Sequence, residues 1–162
     1  MKKIILILPL IILLCGCGES VAVNIGAFKE NVNEQFGVDI MNSDDIFTHS
    51  EENEDVSHWL PEGYNVCCSM FCDKKTGIIK KYTVTSEKSN PKYESFCKTI
   101  EKAICKNNQN INISTYEADN LIITVYEDTR YLSEDEAPTL KSEIDEKNLN
   151  QPVAEKTLKE EN

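Results

Sequence analysis

The residues of this 162-residue chain best suited to chemistry are its cysteines: Cys67, Cys68 and Cys72 in one short stretch, Cys97 and Cys105 in another. Thiolates bind soft metals and carry redox reactions. Cys67-Cys68-Ser69-Met70-Phe71-Cys72 matches neither a C-x-x-C motif nor a zinc framework, and its residues read as strand rather than helix start. Structural disulfides are the better reading. Alternation puts Val66, Cys68, Met70 and Cys72 on one strand face and Cys67 on the other. Cys68 to Cys72 spans about 13 Å of strand, and Cys97 to Cys105 about 12 Å of helix. The ladders match if that helix runs alongside the strand. The expected pairs are Cys68–Cys97 and Cys72–Cys105, with Cys67 the odd thiol. Cys97 and Cys105 are too far apart to pair within one helix.

Other reactive groups are less organised. His49 and His58 flank Glu51, Glu52, Glu54 and Asp55. The group lacks the alternation and turn glycine of a calcium loop, so it reads as a solvated acidic loop and no metal is expected. Trp59 and Tyr64 offer an aromatic contact for a partner, with a plug in a small core as the alternative. No nucleophile elbow or glycine-rich phosphate loop frames any Ser, His or Asp. No catalytic residue and no cofactor is assigned, and an enzyme is not expected.

The N-terminus carries the strongest signal. Lys2 and Lys3 precede an apolar run from Ile4 to Leu14, the length of a secretory signal core and too short for a membrane span. Leu14-Cys15-Gly16-Cys17 then resembles the lipobox of bacterial lipoproteins. The resemblance covers only these first residues. It implies cleavage before Cys17, a diacylglycerol on the Cys17 thiol and a palmitate-class chain on the new amine. More than one acyl chain makes a lasting anchor. Gly18 in place of aspartate implies, by the same resemblance, the outer membrane facing the periplasm where the host has one. The expected layout is signal peptide 1–16, anchor and tether 17–20, a domain over 21–132, and an acidic, disordered tail over 133–162.

The chain carries a net charge of −11, which repels phosphate backbones and disfavours nucleic-acid binding. With Cys15 and Cys17 assigned to the signal and the anchor, five of the seven cysteines remain in the domain, consistent with an oxidising compartment.

Ile25, Phe28, Val32 and Phe36 have helical spacing, and Gly37 is a natural stop. A short strand is expected at Val38–Ile40, and a surface loop over Asn42–His58. Tyr64–Asp73 and Ile78–Thr85 read as a hairpin turning at Gly77. Asn90-Pro91 opens a helix whose stripe is Tyr93, Phe96, Cys97, Ile100, Ala103 and Ile104. Ile111–Glu117 and Leu121–Glu127 form a second hairpin. The expected fold is α+β: a small antiparallel sheet of two hairpins, helices on one face, stapled by disulfides. The expected function is a membrane-anchored envelope lipoprotein, binding a protein partner of unspecified identity as an accessory or assembly module. The alternative is a periplasmic or surface inhibitor, immunity or exclusion protein. A thiol-redox or metal-binding protein comes last.

Overall fold

The computed structural model describes residues 24–106, 110–131 and 154–157. Cys17, the lipobox and the rest of the expected signal lie outside them. So does the expected tail, apart from 154–157.

Helix α1 spans Ile25–Phe36. The Asn24 side chain caps it by accepting from the Ala27 amide, and Gly37 ends it at φ 69°, a left-handed conformation that suits glycine. Val38–Ile40 is not a strand. Asn33 captures this segment instead: its Oδ1 accepts from the Met41 amide at 2.8 Å and its Nδ2 donates to Asp39 at 2.6 Å.

Four strands follow as a meander: β1 Ile46–Ser50, β2 Glu54–Trp59, β3 Cys67–Asp73 and β4 Ile79–Glu87. The first two overturn the expected loop over Asn42–His58. β1 is an edge strand, paired only with β2 among the described residues and exposed along most of its length. Polar residues are tolerated there, and the apolar alternation that marks a buried strand is lost. The β3–β4 turn forms as expected, with Gly77 at φ 67°. Asp73 Oδ1 accepts from the Lys75 and Thr76 amides and from the Thr76 hydroxyl.

Helix α2 covers Tyr93–Cys105. It starts slightly later than Asn90-Pro91 suggests, because Asn90 acts as a clamp. Its Nδ2 reaches the Tyr64 carbonyl and the Ser86 hydroxyl, both at 2.8 Å, while its Oδ1 accepts from the Lys92 amide. Strands β5 Ile111–Ala118 and β6 Leu121–Asp128 form the second hairpin. β6 lies between β4 and β5 and is antiparallel to both. β4, α2 and β5 therefore make a parallel β-α-β unit whose middle slot β6 fills. Ala154–Thr157 pairs antiparallel with β5 as β7, which corrects the expectation of an unstructured tail at those four residues. The sheet order is β1-β2-β3-β4-β6-β5-β7, antiparallel throughout.

Both helices cover one sheet face. Phe28 and Val32 of α1 and Phe96, Ile100 and Ala103 of α2 pack on Trp59, Cys68, Met70, Tyr82, Val84 and Tyr126. Phe28 meets Tyr82 with ring centroids 5.0 Å apart, and Phe36 meets Phe96 at 5.4 Å. Asn31 binds the Ala103 carbonyl, and Glu34 pairs with Lys106. A smaller cluster of Ile123 and Val125, with Tyr116 and Ala118, occupies the opposite face. The α+β class with helices on one side of an antiparallel sheet thus holds, with seven strands where two hairpins were expected.

The expected disulfide staples are not seen: no bridge joins Cys67, Cys68, Cys72, Cys97 or Cys105 in this structure. Cys68 and Cys72 do face the core, as alternation requires. The Tyr93 hydroxyl bonds near the end of β4, to the Val84 carbonyl, whereas Ile104 lies beside Ile79 at its start. α2 therefore runs antiparallel to β4 and parallel to β3, as the pairing argument supposed. Cys97 acts on Cys68 as that scheme supposed, but each thiol also has polar neighbours outside it. Cys68 sits against the Tyr82 hydroxyl and Cys97 among Tyr93, Tyr126 and Thr124. Cys72 lies beside Asp55 and Glu54 of the neighbouring strand.

Candidate functional site

Three sequence expectations converge near β1 and β2, with mixed outcomes. Trp59 is fully buried, 6.0 Å from Phe96 between ring centroids, and is no contact residue. A large aromatic ring at the end of a paired strand is worth more inside a small core than outside it. Tyr64 is half-buried between Phe36 at 5.5 Å and Phe96 at 5.0 Å, with the Lys92 ammonium 5.6 Å from its ring. The plug alternative therefore describes Trp59, while Tyr64 packs on the core with part of its surface exposed.

An exposed aromatic is Phe47, which with Ile46 forms the strong apolar pair of the stretch expected to be a loop. It is 69% exposed, and Leu60, just past the end of β2, is 68% exposed. Pairing of Phe47 with His58 and of His49 with Val56 puts these residues on the sheet face away from the helices. The His49 and His58 rings stack at 5.3 Å and 15°, and Phe47 lies 6.3 Å from His49. His58 Nδ1 shares a 3.0 Å hydrogen bond with Ser69 Oγ, and His49 Nε2 is 3.5 Å from Glu51. Further along the same face the Lys81 ammonium sits 3.9 Å over the Phe71 ring. The two histidines of the chain, separated in sequence, are brought together by the β1–β2 hairpin. Alternation across a short acidic turn was the only signal that could have revealed this.

The acidic residues around them do not form a cation site: among the described residues, no group of three or more His, Cys, Asp or Glu side chains is placed to hold a metal. The Ser50 hydroxyl binds Asp55 at 2.6 Å, and Thr48 and Ser57 share a 2.7 Å bond on the helix-facing side. These contacts stiffen a polar hairpin.

Cys68, Cys72 and Cys97 are also poorly poised for reaction. Burial pushes the Cys68 and Cys97 thiols up from their ordinary range. Burial, aided by the Asp55 and Glu54 carboxylates, pushes Cys72 from 9.0 to about 11. A nucleophilic or redox cysteine requires the opposite shift. Cys67 lies on the opposite strand face from Cys68, half-buried and paired across to Thr85.

A groove of about 480 Å³ runs between α2 and the β5–β6 hairpin, floored by Ile113, Ile122 and Thr124. Its polar groups are internally satisfied. The Tyr93 hydroxyl donates to Thr124 at 2.8 Å, and the Tyr126 hydroxyl donates to the Cys97 carbonyl at 3.0 Å. Lys98 pairs with Glu94 and Lys88 with Glu117 along the rim.

These features define an α+β domain with an aromatic, acid-flanked edge strand at one side of its sheet. Comparisons with protein families, curated proteins and solved structures found no match for the chain.

Proposed function

We propose that the chain is a membrane-anchored envelope lipoprotein whose domain binds another protein through the β1–β2 hairpin. The carrying observation is Phe47, 69% exposed on an edge strand beside the stacked His49–His58 pair. Aromatic residues of low flexibility are effective contact anchors. An open strand edge presents unpaired backbone groups, a ready template for pairing with another chain. The anchor is Cys17, read from the lipobox resemblance. Among the described residues no helix is long and apolar enough to cross a membrane. An outer-membrane position facing the periplasm belongs to the same reading.

Disulfide formation belongs to it too. Cys97 lies near enough to Cys68 to oppose its ionisation, and an oxidising envelope is where such a pair would close. Peptide mapping without reduction tests it: a Cys68–Cys97 bridge is the expected product.

The experiment for the function is fractionation combined with crosslinking in intact cells. The wild-type chain should sediment with membranes and crosslink to one protein partner. Cys17→Ser should move to the soluble fraction. Membrane retention of Cys17→Ser would refute the anchor. Wild-type chain that crosslinks to nothing would refute the binding module.

A further inference from the structure

The β1 edge has a composition and geometry that say what it takes. Natural sheets protect open edges with lysine, proline, bulges or very short strands. β1 reads Ile46-Phe47-Thr48-His49-Ser50, with no lysine and no proline, and its register with β2 is uninterrupted. The Glu51 amide donates to the Glu54 carbonyl at 2.8 Å, which sets the phase of the hairpin. Alternation then turns the backbone amides and carbonyls of Ile46, Thr48 and Ser50 toward the open edge. Asp44 and Asp45 precede the strand, and Glu51 and Glu52 follow it. From Glu30 to Asp73 the sequence contains no Lys or Arg. At the hairpin tip Lys74 binds the Glu51 carbonyl at 3.1 Å. A second copy added to this edge, parallel or antiparallel, would set acidic ends against acidic ends. Like charges facing each other across an interface cost affinity.

We infer that the open edge of β1 is a strand-addition site for an extended segment of a partner protein, with a β-branched or apolar centre and Lys or Arg at both ends. The added strand hydrogen-bonds to Ile46, Thr48 and Ser50. Phe47 and the His49–His58 stack pack beside its side chains on one face, and its cations meet the acidic ends. This is strand augmentation, in which backbone bonds give affinity and flanking groups give specificity. It rests on the protein-binding reading above and adds to it the mode and chemistry of the contact.

The test is fluorescence anisotropy with the full chain and two labelled nonapeptides, KKVTVTVKK and EEVTVTVEE, at low and high salt. The basic peptide should bind at least about tenfold more tightly, and salt should weaken it. Thr48→Pro removes one outward amide without touching the β2 ladder, a substitution that edge strands accept. It should abolish binding while circular dichroism stays unchanged. Replacing Asp44, Asp45, Glu51 and Glu52 together by lysine should reverse the peptide preference, and it decides the matter if Thr48→Pro fails to fold. Equal affinity for both peptides, no binding of either, or wild-type affinity in Thr48→Pro would overturn the inference. So would a dimer in sedimentation equilibrium that Thr48→Pro dissolves. If the peptides fail yet cells still yield a crosslinked partner, only the strand-addition mode falls and the protein-binding reading stands.

Discussion

Phe47 and Trp59 lie on paired strands and have opposite fates. Trp59 fills the space between β2 and α2, whereas Phe47, on the other side of the same hairpin, points to solvent. Trp59→Ala should cost about 3–5 kcal/mol by emptying a packed site. Phe47→Ser should leave the denaturation midpoint nearly unchanged and reduce partner capture. Urea melts of the two variants check the contrast, and equal destabilisation would refute this assignment of inside and outside. The thiols were legible in part. The face shared by Cys68, Met70 and Cys72 followed from alternation and is the buried one. The side-chain neighbours of each thiol were not readable, because Tyr82, Tyr93 and Tyr126 come from other elements.

At the scale of elements, α1, the β3–β4 hairpin, α2 and the β5–β6 hairpin were all readable, since each carries an apolar stripe and a turn or cap residue. β1 was not, because a strand paired on one side and exposed on most of its surface has no periodicity to read. β7 was missed for a similar reason: four residues in a charged stretch carry little pattern of their own, and only pairing with β5 defines them. That pairing has a consequence. Ending the chain at Tyr131 removes β7 and uncovers the β5 edge, whose outward groups then lack partners. The truncated chain should melt at lower temperature and self-associate on concentration, read by calorimetry and light scattering. Unchanged melting would show that β7 contributes nothing to the sheet.

Across the whole molecule, charge and burial set the behaviour. In the reduced chain Cys68, Cys97, Tyr82, Tyr93 and Tyr126 all have ionisations pushed upward, chiefly by burial, and Cys72 moves from 9.0 to about 11. Each group stays neutral more readily folded than unfolded. The stability they supply is therefore complete below pH 9 and declines as pH rises through 9 to 11 and beyond. Urea midpoints from pH 7 to 11 should show this alkaline loss, and a flat profile would contradict it. The −11 net charge and the cation-free stretch from Glu30 to Asp73 favour a basic partner, and the only aromatic that stands well clear of the surface there is Phe47. The most direct test is a photo-crosslinking amino acid placed at position 47 in living cells, with exposed Lys98 on α2 as the control position. The account predicts a single protein adduct from position 47 and none from position 98. No adduct at 47, or the same adduct from both positions, would contradict it.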